Sequence, residues 1–263
     1  MHKPSHYLNA MRETAPLVQN LTNYVAMNVM ANIMLAAGAS PAMAHARREA
    51  AEFAGLASAL TVNIGTLDEE WAECMEIAAA AAVENEIPWV LDPVAVGATA
   101  FRKEVGARLL ALRPTIIRGN ASEILALSQT AESQGRGADA TDSVEAAEEA
   151  ARALALASKA VVAVTGPVDF VTDGKQAYRI ENGDPMMPRI TVLGCSLTGI
   201  VAAFAAAASP LEATVAALAY YGAAGEVAAE TAKGPASFQV AFIDALYSMT
   251  GERLDSMARV SFA

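Results

Sequence analysis

The 263 residues include 29 acidic and 18 basic side chains, a formal net charge of −11. That balance disfavours nucleic-acid binding, which depends on clustered Lys and Arg to displace counterions. Apolar residues reach 54% while aromatics stay at 6%, so the core is built from small aliphatic side chains that let helices approach a sheet closely.

Residues 1–15 are polar and of mixed charge and do not read as a signal peptide. From there, short β-branched runs alternate with longer helical ones. A strand over 17–21 leads to a helix near 24–37, and a strand over 42–44 to a helix near 47–56. A strand over 59–64 precedes a helix over 68–84 that holds Cys74. Strands over 89–91, 115–117 and 160–164 follow, with helices near 101–112, 121–127 and 143–157. Such alternation marks βαβ units around a mostly parallel sheet. Runs at 170–172 and 176–180 flank Asp173-Gly174-Lys175 and read as an antiparallel hairpin. Residues 188–192 are β-prone, and a long helical region starts near Cys195 and runs to about Thr250.

The polar stretch 129–142, with Gly135 and Gly137, reads as a surface loop rather than a linker. The chain, 1–263, is therefore expected to be one three-layer α/β/α domain. The uncharged stretch 190–211 is long enough to raise the question of a membrane span. It is mostly Ala, Gly, Ser and Thr, with Pro210 near its end, so no membrane helix is expected. The two cysteines, Cys74 and Cys195, are expected to stay reduced in the cytoplasm.

Ligands of open parallel sheets collect at the carboxyl ends of the strands. Four polar motifs fall there: Asn63-Ile64-Gly65-Thr66, Asp92-Pro93, Arg118-Gly119-Asn120-Ala121-Ser122-Glu123 and Thr165-Gly166. Asp92 and Glu123 suit Mg2+, a hard cation with oxygen ligands. Asp92 also fits a turn cap, and Asn120 with Glu123 has the spacing of a capping box. Arg118 suits either a phosphate clamp or a salt bridge at a strand end. Gly194-Cys195 at a helix start points backbone N–H groups outward, as an anion requires. Cys195 itself fits a buried small hydrophobe, a nucleophile activated by the helix N-terminus, or a general base. His2, His6 and His45 form no ligand-spaced cluster, and neither a G-x-x-x-x-G-K-[ST] nor a G-x-S-x-G motif occurs.

Taken in order, these segments resemble the hydroxyethylthiazole kinase family of the ribokinase-like superfamily. The matching pieces are Pro16-Leu17-Val18-Gln19-Asn20-Leu21-Thr22-Asn23, Leu35-Ala36-Ala37-Gly38-Ala39-Ser40-Pro41-Ala42-Met43 and Asn63-Ile64-Gly65-Thr66-Leu67. They continue with Leu91-Asp92-Pro93-Val94-Ala95-Val96-Gly97-Ala98-Thr99 and Ile117-Arg118-Gly119-Asn120-Ala121-Ser122-Glu123-Ile124. Val164-Thr165-Gly166-Pro167-Val168-Asp169 and Gly194-Cys195-Ser196-Leu197-Thr198 complete the set. The resemblance implies a ribokinase-like fold and transfer of the ATP γ-phosphate to the alcohol of 4-methyl-5-(2-hydroxyethyl)thiazole. It also implies a homotrimer with the thiazole pocket between subunits. By position, Asn23 and Met43 would line that pocket, Asp92 and Glu123 would serve Mg2+, and Arg118 and Thr165 the nucleotide. Gly194 and Cys195 would form the anion hole, with Cys195 as a modest base.

Two positions depart from the family pattern. T-G-x-G-C becomes Thr191-Val192-Leu193-Gly194-Cys195, and D-P-V-G-V-G becomes Asp92-Pro93-Val94-Ala95-Val96-Gly97. A β-branched Val192 resists φ > 0, so an altered loop or an ordinary backbone conformation is expected there, with the side chain narrowing the thiazole pocket. The Ala95 change is milder. A related small-alcohol or vitamin-precursor kinase, a non-catalytic nucleotide or thiazole binder and a thiol-dependent hydrolase are the competing readings.

Overall fold

A computed structural model describes residues 1–132 and 144–263. Helix α1 (Pro4–Thr14) precedes β1 (Leu17–Leu21), α2 (Met27–Ala37), β2 (Ser40–Ala42), α3 (Ala50–Leu56) and β3 (Ala59–Asn63). Then come α4 (Glu69–Glu84), β4 (Trp89–Asp92), α5 (Ala100–Ala111), β5 (Ile116–Asn120), α6 (Ala121–Glu132) and α7 (Val144–Ser158). Strands β6 (Val161–Thr165), β7 (Asp169–Thr172) and β8 (Ala177–Ile180) follow. The chain closes with α8 (Leu193–Ala205), α9 (Pro210–Ala229), α10 (Pro235–Ser248), α11 (Gly251–Met257) and β9 (Val260–Phe262). The expected loop over 129–142 is helical as far as Glu132, and beyond that lies outside the described residues until Val144.

The strands form one sheet in the order β2-β1-β3-β4-β5-β6-β7-β8-β9, parallel from β2 to β6 and antiparallel from β6 to β9. Successive side chains alternate faces, as a period of two requires. Val90, Ile116, Val161 and Ala163 join the buried cluster with α1, α2 and α8–α10. Leu91, Ile117, Val162 and Val164 join the cluster with α3–α7. The three-layer α/β/α expectation therefore holds. Because β2 and β3 lie on opposite sides of β1, the sheet has a switch point there, and its crevice opens at the carboxyl ends.

The β-prone run 188–192 makes no strand. Met187–Arg189 is a 3-10 turn with Pro188 in its first positions, and both edges of β8 are already taken by β7 and β9. Helix α8 starts at Leu193, two residues before the expected point, and Val192 is its N-cap with φ 83° and ψ −25°. The expectation of an ordinary backbone at Val192 is thus overturned. Ala95 also has positive φ, 53°. Both departures from the family pattern therefore place a side chain where glycine is the comfortable residue. Among the described residues no helix is long and apolar enough to cross a membrane.

Candidate active site

One line of contacts crosses the carboxyl ends of β1, β3, β4, β5 and β6. Just beyond β1, Asn23 Oδ1 accepts the Ala26 N–H at 3.0 Å, closing the turn into α2. Its Nδ2 donates to Asn63 Oδ1 at 2.9 Å and lies 3.2 Å from Cys195 Sγ. Asn63 ends β3 in register with Asp92 at the end of β4, and its Nδ2 donates to Asp92 Oδ2 at 2.7 Å. Thr198 Oγ1 and Arg118 Nη1 reach the same oxygen at 2.9 and 3.2 Å. Arg118 Nη2 then donates to Thr165 Oγ1 at 3.1 Å.

Asp92 is wholly buried and Arg118 nearly so. Burial pushes the Asp92 carboxyl above its usual range, while Arg118, Thr198 and Asn63 pull it back. The guanidinium of Arg118 pairs with Asp92, as the salt-bridge reading expects, and it also lines a cavity.

Glu123 closes the expected capping box. Its N–H donates to Asn120 Oδ1 at 3.0 Å, and its Oε2 accepts the Asn120 N–H at 2.8 Å. Its Oε1 accepts the Ala95 N–H at 3.0 Å, tying the β4–α5 connection to α6. Among the described residues no group of three or more His, Cys, Asp or Glu is placed to hold a metal. The donor set nevertheless fits Mg2+, which is commonly held by one or two carboxylates together with waters and substrate phosphates. Asp92 Oδ1 is buried without a partner, and each Glu123 oxygen keeps a lone pair beyond its single backbone bond.

A cavity of about 710 Å³ opens beside β5 and β6, with Arg118, Thr165, Asp169, Gly194 and Tyr221 among its lining. That volume suits a small-molecule ligand. Gly194 favours close approach, since a Cβ there would make a tight contact, 3.2 Å from Arg118 Nη2. Ser196 N is bonded to Val192 O at 2.7 Å, whereas the amides of Leu193, Gly194 and Cys195 have no carbonyl one turn earlier. The Cys195 thiol is pushed up, first by burial and then by the Asp92 carboxylate, with Asn23, Asn63 and Arg118 opposing. Burial there works against the thiolate that a helix N-terminus would favour.

The structure brings Asn23, Asp92, Arg118, Glu123, Thr165, Gly194 and Cys195 together. Met43, half-buried just past β2, packs against the α8 side of the core. The Val192 side chain is buried outside the cavity. Asn63 and Thr198 were visible only as motif members, although each binds Asp92. The register pairing of the ends of β3 and β4 is the signal that singles out Asn63.

Asp169 faces the cavity, and burial holds its carboxyl up at about 6 despite the Gly166 N–H that it accepts. A raised carboxylate pKa contributes stability that is present below the unfolded value near 4 and lost as pH rises through about 6. Asp169→Asn should therefore raise the melting temperature at pH 7.5, with the gain shrinking toward zero near pH 4.5. A pH-independent shift in paired thermal melts would refute this.

The sequence model of the hydroxyethylthiazole kinase family matches residues 8–252. The chain belongs to the hydroxyethylthiazole kinase family. A hydroxyethylthiazole kinase of Cereibacter sphaeroides is 65% identical over 257 residues, 98% of each chain. Among solved structures, a hydroxyethylthiazole kinase protein from Pyrococcus horikoshii OT3 superposes with a TM-score of 0.92 at 40% identity, covering 99% of this chain and 98% of that one. A Staphylococcus aureus pyridoxal kinase bound to pyridoxal shares the fold, with a TM-score of 0.65 at 17% identity over 94% of this chain and 98% of that one. Family membership gives the contact line from Asn23 to Thr165 a chemical frame. A kinase needs an alcohol end and a phosphate end on one line.

Proposed function

We propose that the chain transfers the γ-phosphate of ATP to the primary hydroxyl of 4-methyl-5-(2-hydroxyethyl)thiazole. The observation that carries this reading is the junction at the start of α8. Gly194 borders the cavity beside Arg118, while the next residue, Cys195, sets its sulfur against Asn23. ATP would occupy the Arg118–Thr165 side, and the thiazole the side of Asn23 and Met43. The free amides of Gly194 and Cys195 would stabilise charge on the phosphoryl group as it moves between them. Asp92 and Glu123 would hold Mg2+, which neutralises charge on the β- and γ-phosphates when bound.

The transition state of phosphoryl transfer is loose, so the alcohol keeps its proton until late and no strong base is required. A Cys195 thiol pushed up by burial is compatible with that role. An aspartate at this position would sit among the same Asn23 and Asn63 amides, with Asp92 nearby to raise its pKa toward the working range of a base. Cys195→Asp is therefore expected to retain or raise turnover, and a large loss with the fold intact would count against the base assignment.

The chain is read as one domain, 1–263, working as a homotrimer in the cytoplasm. Tyr24 and Val25, exposed beside Asn23, supply apolar surface for a neighbouring subunit at the alcohol end. Cys74 and Cys195 are both free, which suits a reducing compartment. The test is ADP release with ATP and Mg2+ across a panel of small alcohols. Release that depends on hydroxyethylthiazole supports the assignment. Release with a different alcohol assigns a related kinase, and tight binding without release assigns a non-catalytic binder.

A further inference from the structure

Val192 holds φ 83° at the N-cap of α8. Of the described non-glycine residues with positive φ, which also include Ala15, Glu86, Ala95, Arg113 and Lys159, it alone is β-branched. A side chain branched at Cβ is an outlier there. Such a conformation persists only where the surroundings over-determine it. Its own side chain and that of Leu193 are buried, and Val192 O accepts the Ser196 N–H.

A third restraint comes from a distant element. Tyr221, in the middle of α9, donates its hydroxyl to Leu193 O at 2.9 Å, and both residues are buried. The ring is fixed edge-on against Phe242, with centroids 4.8 Å apart. The Leu193 carbonyl and the Gly194 N–H belong to one planar peptide unit and point in opposite directions. A hydroxyl that fixes the first therefore aims the second. Gly194 is also the residue on which the cavity and the Arg118 guanidinium converge.

We propose that Tyr221 is a positioning residue that holds the strained Val192 turn so that the Gly194 N–H faces the transferring phosphate. The proposal rests on the kinase reading above. Tyr221→Phe keeps the ring and removes the restraint. It is expected to lower kcat by about tenfold to 100-fold, the cost of a small misplacement of catalytic groups, with KM for the thiazole within about twofold. In a Val192→Gly background positive φ carries no side-chain penalty, so the same Tyr221→Phe change should cost less than about threefold.

An unchanged kcat, an equal loss in both backgrounds, or a lowered melting temperature without the kcat effect would overturn the proposal. If the wild-type chain released no ADP, the kinase reading would fail by itself. Crystal structures of the wild-type and Tyr221→Phe chains would then decide the positioning claim. Rotation of the Leu193–Gly194 peptide or relaxation of Val192 supports it, and an unmoved turn overturns it.

Discussion

Gly194→Val is expected to reduce kcat by about 100- to 1,000-fold, the range seen when one oxyanion-type donor is lost, while the chain stays folded. Even a single Cβ at Gly194 would stand 3.2 Å from Arg118 Nη2 and 3.7 Å from Nη1. Valine adds two more methyl groups in the same direction. Arg118 has little room to yield, because one side of its guanidinium is bonded to Asp92 and the other to Thr165. Displacing it disturbs the cavity wall and the helix start together. Stability should fall by about 1–3 kcal/mol, the usual cost of overpacking, because the gain of a few tenths of a kcal/mol in helix propensity over glycine is smaller. Gly194→Ala should be intermediate, because the contact is tight rather than impossible. Steady-state kinetics on both variants beside thermal melts provide the check. Wild-type kcat in Gly194→Val would remove the α8 start from the mechanism.

Most of the parallel sheet was legible because its strands are short apolar runs between turn signals, and α2 to α7 declared themselves by length, whereas α8 to α10 were read as one helical region and neither α1 nor α11 was read. The polar strand ends were legible for the same reason, as Asp92, Arg118 and Thr165 follow or close such runs. Readings failed where spatial neighbours decide. The run 188–192 has strand-like residues but no free sheet edge to join beside β8. Strand β9 is only three residues long and is defined by its pairing with β8. Val192 has the wrong intrinsic preference for its backbone, and tertiary contacts override it. Tyr221 lies in an alanine-rich helix with nothing local to mark it, since its partner Leu193 is 28 residues away.

Asp92→Ala is expected to destabilise the chain by about 3–5 kcal/mol, the cost of leaving a buried charge without its partner, and to abolish turnover. Three donors, from Asn63, Arg118 and Thr198, converge on its Oδ2. Truncation leaves a buried cation, an amide and a hydroxyl facing an empty space. Against the roughly 5–15 kcal/mol of a typical domain, that loss is large. Asp92→Asn separates the two effects. An amide can keep its oxygen at the Oδ2 position and turn its NH2 toward the place of Oδ1, which has no partner. The three donors then keep an acceptor, and the stability loss should fall to about 1–3 kcal/mol, the value of charge-assisted hydrogen bonds. Turnover should still collapse, because the negative charge that would attract a cation is gone. Chemical denaturation of both variants, read beside ADP release, distinguishes the contributions. Equal stability for Asp92→Ala and Asp92→Asn would mean that the convergent donors contribute little to folding. Substantial activity in Asp92→Asn would mean that the carboxylate serves Arg118 rather than a metal.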